Sequence, residues 1–137
     1  MNTQKIIYWI ARLLAAAIML QTLYFKFSGA PESIAIFTKM GMEPWGRYGT
    51  GVVELVASIL LFINPWAKYG ALLGCGTMAG AIASHLFILG IESNGDGGYL
   101  FMLACIVTIC SLYVLWVNKD ELIKVVKGFL PSSSQSL

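Results

Sequence analysis

Apolar positions along this 137-residue chain fall in long unbroken runs rather than in alternation with polar ones. Four runs stand out, over residues 6–27, 48–63, 68–89 and 99–117. A helix needs about 20 apolar residues, with a range of roughly 17–25, to cross a bilayer, whereas a barrel strand would alternate over about 10. The pattern therefore predicts an all-α, integral membrane four-helix bundle. The second run is short and stops at Asn64-Pro65, where proline cannot continue a helix. Its ends must be completed by Gly46 and Arg47 or by local thinning of the bilayer. Between the first two runs, Pro31-Glu32-Ser33 followed by Ile34, Ile36 and Phe37 predicts a short helix ending at Gly41. It has proline in its first turn and an acid near its N-terminus. Met40, Met42, Pro44 and Trp45 would then lie at the interface. This outer loop reads either as a lid resting on the bundle or as the cover of an outward-facing pocket. Beyond Lys119, Leu122, Val125, Val126 and Phe129 share one side of an amphipathic helix, followed by a polar tail, Pro131-Ser132-Ser133-Ser134, that reads as disordered. The chain thus divides into a transmembrane domain, 1–118, and a cytoplasmic amphipathic segment with its tail, 119–137.

Composition strengthens this reading. Hydrophobic residues make up 58% and charged ones 12%, against about 45–50% and 25% in soluble domains. A soluble surface of this size needs more charge to stay dispersed. The net charge of +2, with no basic cluster, argues against a nucleic-acid partner; the expected partner is the lipid bilayer. The first run could imitate a secretory signal, with Lys5 as basic flank and Ser28-Gly29-Ala30 as cleavage site. Its apolar stretch is too long for one, and Arg12 and Lys26 interrupt it. With four spans, Lys5, Lys68, Lys119, Lys124 and Lys127 share one face and Lys39 and Arg47 the other. That bias places both termini in the cytoplasm of an inner-membrane protein. Tyr8, Trp9, Trp66, Tyr113 and Trp116 would form the inner aromatic belt, and Tyr24, Trp45, Tyr48 and Tyr99 the outer one.

The third run carries Gly70, Gly74, Gly76, Gly80 and Ser84. Small residues at such spacing let helices approach closely in lipid, which suits packing inside the bundle or a homodimer face. Cys75, Cys105 and Cys110 lack CxxC spacing, and the last two turn to different faces of one helix. They read as small core residues. One histidine without an HxxxH spacing leaves no metal site.

The remaining chemistry is a handful of ionisable groups in apolar surroundings, where charges are expensive and are paired or functional. At about 1.5 Å per helical residue, Lys26, Glu54, His85 and Asp96 all fall in the outer half of the bundle. Arg12 starts about four turns below Lys26 but shares its helix face, with Met19 and Thr22 between them. Thr50, Glu54 and Ser58 line one face of the second helix; Thr77, Ala81 and His85, with Ser84 beside them, line one face of the third. Turned inward, these stripes form either a structural network, in which Glu54 neutralises Arg12 or Lys26, or a polar pocket floor. The floor would bind a small ligand or a quinone carbonyl and relay protons through His85, the residue type that changes charge near neutral pH. The segment 94–98 is a turn by composition; it lacks the later ligands of a calcium loop.

In order along the chain, Arg12-Leu13-Leu14, Lys26, Gly51-Val52-Val53-Glu54-Leu55, His85 and Asp96-Gly97-Gly98-Tyr99-Leu100-Phe101 resemble the DoxX family of small four-helix membrane proteins, over roughly residues 10–117. The resemblance implies an inner-membrane bundle of the superfamily that includes the small subunit of thiosulfate:quinone oxidoreductase and the MauE proteins of methylamine utilisation. It also implies a distant likeness to eukaryotic receptor-assembly chaperones. Two functions are expected from it. One is an accessory subunit of a membrane redox system, with a quinone as possible ligand at Arg12, Lys26, Thr50, Glu54, His85 and Asp96 and a redox protein or a second copy as partner. The other is a non-catalytic chaperone or assembly factor that recognises partner helices. Without a cysteine pair, independent thiol-disulfide chemistry is not expected.

Overall fold

The computed structural model describes residues 2–93 and 95–129, and among these every regular element is helical. Six α-helices follow in order: α1 (Thr3–Ser28), α2 (Pro31–Lys39), α3 (Trp45–Phe62), α4 (Ala67–Ser84), α5 (Tyr99–Val117) and α6 (Lys119–Phe129). A 3-10 turn, Asn64–Trp66, joins α3 to α4, and a π-helical turn, His85–Leu89, prolongs α4. The polar tail from residue 130 lies outside the described residues, as does Asn94.

The long helices run up and down in a ring, with α1 against α3 and α5, and α4 against the same two from across the bundle. Of these, α1, α4 with its π turn, and α5 are long and apolar enough to cross a membrane. Helix α3 has 18 residues, about 27 Å of rise, and it carries Arg47, Thr50 and Glu54 among three glycines in its first ten positions. Large apolar side chains such as Leu13, Leu72, Ile109 and Leu112 point away from the bundle.

The helix ends follow from local chemistry. The Asn2 side chain accepts the Lys5 amide at 2.9 Å, an N-cap for α1. Helix α1 stops at Gly29, which takes φ +70° so that the Ala30 amide reaches back to Phe25 O. Helix α2 ends just before Gly41, as expected, and buries Ser33 and Phe37 toward the bundle. The amphipathic α6 is tied to the start of α4 by Lys68 and Glu121 at 3.1 Å.

Packing is closest at the end holding the chain's N-terminus. There Ala11, Ala15, Ala16, Ala57, Leu61, Ala71, Val107 and Val114 form the core. At Gly70 an added Cβ would lie 2.7 Å from Ala57 O and 2.8 Å from Leu61 N, so α3 and α4 touch backbone to backbone. At Gly74 it would lie 3.0 Å from Ser111 Oγ. Gly76 and Gly80 behave differently, since nothing stands within 4 Å of a Cβ added to either. The small-residue stripe of α4 is therefore a packing face only in its first half. Cys75, Cys105 and Cys110 are free, half-buried thiols.

Candidate functional site

Past Met19 and Met78, which close the core, the helices no longer fill the space between them. A cavity of about 980 Å³ opens there, walled by α1, α3, α4 with its π turn, and α5, and covered by α2 through Ser33, Ile36, Phe37 and Met40. Most of its lining is apolar. Polar groups reach it from three helices and a loop: Lys26 and Thr22 on α1, Thr50 and Glu54 on α3, Thr77, Ser84 and His85 on α4 and its π turn, and Asp96 on the loop before α5.

Lys26 and Glu54 form an ion pair in which both partners line the cavity. Lys26 Nζ donates to both carboxylate oxygens, at 3.1 and 3.0 Å, and Thr22 Oγ1 donates to Oε2 at 3.2 Å. Lys26 is aimed at Glu54 by its backbone setting. Arg47, buried at the start of α3, donates through Nη1 to Lys26 O and thereby grips the last turn of α1. Its Nε and Nη2 grip the Glu43 carboxylate at 2.9 and 2.7 Å, and its guanidinium lies 4.4 Å from the Tyr48 ring centre. From the sequence Arg47 is an outer-face charge at the end of the second helix; its spacing of four from Glu43 signals the pairing.

His85 opens the π turn. Its Nδ1 donates to Gly90 O at 2.9 Å, and its ring meets Phe101 edge-on at 5.7 Å between centres. A ring whose Nδ1 carries the proton keeps Nε2 free as an acceptor, and no described residue bonds to it. A π turn widens the helix locally and recurs at functional sites. Here it carries His85 to the cavity and brings Gly90, at φ +81°, within reach of its ring.

Asp96 lines the same cavity from the 93–98 loop. Its Oδ1 accepts from the Ser93 and Gly98 amides at 3.0 and 2.8 Å, and its Oδ2 from Leu100 at 3.2 Å. Burial works to raise its pKa, but the three amides outweigh burial and hold the carboxyl below the usual aspartate range. Asp96 thus closes the loop and caps α5, which requires the left-handed turn at Gly98, φ +86°.

The hydroxyls of the expected polar stripes bond mainly to their own helices. Thr50 Oγ1 donates to Gly46 O, Ser58 to Glu54 O, Thr77 to Leu73 O and Ser84 to Gly80 O, all at 2.8 Å. They soften the cavity wall without joining the Lys26–Glu54 pair, and Ser58 does not line the cavity.

Arg12 is elsewhere. Fourteen residues before Lys26 place it about 21 Å lower along the helix, beyond the reach of its side chain. It is 1% exposed at the closed end of the bundle, where Nε donates to Leu61 O at 2.7 Å and Nη1 to Asn64 Oδ1 at 2.9 Å. Its guanidinium carbon lies 3.7 Å from the Trp9 ring centre. Arg12 therefore caps the C-terminus of α3, where a cation complements the helix dipole, and neither neutralises Glu54 nor lines the cavity.

The DoxX family model matches residues 7–88. That is more than half of the chain, and it takes in Arg12, Lys26, Glu54, His85 and the helices that carry them. The chain belongs to the DoxX family. No curated protein and no solved structure matches it. The family match ends before Asp96, so this DoxX protein's α5 cap stands on its own geometry.

Proposed function

We propose that this DoxX protein is an accessory membrane subunit that binds a quinone-like or similarly apolar small ligand in the cavity, with all four long helices crossing an inner membrane and both termini in the cytoplasm. The cavity itself carries this reading. Ligand sites are typically clefts of about 300–1,000 Å³, mostly apolar, with a few convergent polar groups, and this one has about 980 Å³ with His85, Thr50 and the Lys26–Glu54 pair in its wall. His85 Nε2 offers an acceptor for a ligand hydroxyl, or a donor for a carbonyl once the ring is doubly protonated. Lys26 keeps a third N–H beyond its two bonds to Glu54, suited to an electron-rich oxygen. The alternative, an assembly factor whose polar groups only fix helix register, calls for a network packed without space, which the cavity beside His85 and Glu54 argues against.

Trp45 lines the cavity, whereas Trp9, Trp66 and Trp116 belong to the other end of the bundle. Quinones quench indole fluorescence, so decylbenzoquinone added to the protein in lipid nanodiscs should quench Trp45 saturably, and Trp45→Phe should remove that signal. His85→Ala should weaken binding about threefold to tenfold, the value of one hydrogen bond, with melting little changed because its partner Gly90 is exposed. Absence of saturable quenching in the parent would sink the pocket reading. A large loss of stability in His85→Ala would move His85 to a structural role.

A further inference from the structure

The cavity wall does not stay buried. On α4 it passes from buried Met78 and His85 to exposed Gly76 and Gly80, and on α3 from buried Glu54 to exposed Val53 and Gly49. Nothing lies within 4 Å of a Cβ added at Gly49, Gly76 or Gly80. These helices meet backbone to backbone at Gly70, so the α3–α4 pair is a wedge, shut at Gly70 and open two to three turns further on. At 3.6 residues per turn, Gly76 and Gly80 turn to the lipid side of the α4 face that carries Gly70, while Met78 and His85 turn to the interior. The gap between the helices is therefore a side opening of the cavity. The residues at its edge, Gly49 and Val53 on α3 and Gly76, Thr77 and Gly80 on α4, carry no charge. Thr77 and Ser84, polar residues on its α4 edge, have their hydroxyls engaged by Leu73 O and Gly80 O. Glu54 and His85 lie deeper, both buried.

We propose that this side opening is a binding site for the apolar tail of an amphiphile. Its polar head lies against His85 and the Lys26–Glu54 pair, and its hydrocarbon chain passes between Gly49 and Gly80 into the surrounding lipid. The inference rests on the cavity reading above and adds to it the class of ligand: one polar head with a linear apolar tail, held while still part of the bilayer. The three missing side chains supply the width a chain needs, and a head inside with a tail outside follows the polarity gradient of the wall.

The test uses the full-length protein in phosphatidylcholine nanodiscs and two probes read by Trp45 quenching, decylbenzoquinone and the same benzoquinone without its tail. Gly80→Phe and Gly49→Leu place bulk in the opening without touching the head site, and Gly80→Ala is the control. The expected result is at least a tenfold loss of affinity for the tailed probe in the bulky variants, with the tailless probe within twofold of parent in all. Unchanged affinity for both probes, or equal loss of both, overturns the tail site while leaving the head site to be judged by the tailless probe. A parent that forms dimers dispersed by Gly80→Phe gives the opening to a second copy and overturns it too. Failure of both probes to quench the parent is a different outcome, in which the pocket reading fails and the tail site with it.

Discussion

Replacing Glu54 by Gln keeps the side chain's shape and removes its charge. In the parent the carboxylate takes two bonds from Lys26 and one from Thr22, with side-chain exposures of 3% for Glu54 and 15% for Lys26. Gln retains one acceptor oxygen for Lys26, leaving an ammonium without a counter-charge. Breaking one partner of a buried pair costs about 3–5 kcal/mol. Lys26 borders the cavity, where water can solvate it, so Glu54→Gln should fall near 3 kcal/mol. Lys26→Met leaves the more deeply buried carboxylate with Thr22 alone and should cost at least as much. The double variant Lys26→Met/Glu54→Leu removes both charges and should lie within about 2 kcal/mol of parent, because replacing a buried pair by apolar groups is often neutral. Reversible unfolding in mixed detergent micelles, run as a double-mutant cycle, measures the coupling. Additive single effects, or a Glu54→Gln protein as stable as parent, would refute the claim that these two charges hold each other.

Other outcomes follow from the same geometry. Gly70→Ala forces α3 and α4 apart and should destabilise by about 1–3 kcal/mol, as overpacking does, whereas Gly76→Ala should be neutral or stabilise by up to about 1 kcal/mol through helix propensity; the same unfolding assay compares them. Asp96, its pKa held down in the folded chain, contributes stability that is complete above the ordinary aspartate value of about 3.9 and is lost as pH falls through the lower folded value. Asp96→Asn should therefore flatten the acid limb of the stability profile and speed hydrogen exchange at the Leu100 amide. For orientation, cysteines introduced at exposed Thr38 and Glu92 should be labelled by an impermeant maleimide from outside intact cells; labelling only after lysis would reverse the topology.

Continuous apolar runs made the helices legible, because a run bounded by Gly29, Pro65 and Gly98 has few alternatives to a helix between them. The short α2 was legible for the same reason, with proline at its start and glycine past its end. Arg12 was the charge misplaced, because a shared helix face does not bring two side chains to one depth, while the pairing of Lys26 with Glu54 was among the alternatives the sequence offered. Arg12 and Lys26 do share a face, but a separation of 14 positions puts them at the two ends of the bundle. The glycine stripe on α4 was half legible: spacing of four marks possible contact, while actual contact depends on whether a partner helix is close at that height, true at Gly70 and untrue at Gly80. The π turn at His85–Leu89 left no signal in hydropathy, since one extra residue in a turn shifts the following side chains without changing their apolar character.

The closed end explains why the open end can stay open. A bundle that leaves about 980 Å³ unfilled among its helices forgoes packing there, and empty space in a core is destabilising in proportion to its volume. The loss is tolerable if the helices are held by contacts outside the cavity, and they are held at both ends of it. Below, alanines and Gly70 bring α1, α3 and α4 together, and Arg12 ties α1 to the last carbonyls of α3. Above, Arg47 ties the start of α3 to the end of α1, and Asp96 closes the loop between α4 and α5. Helix α3 needs both clamps most, since it is the one of the four long helices that is not long and apolar enough to cross a membrane, and it supplies Glu54. Arg12 and Arg47 thus act as two cation caps on one helix pair, and the cavity lies between them because neither needs the space.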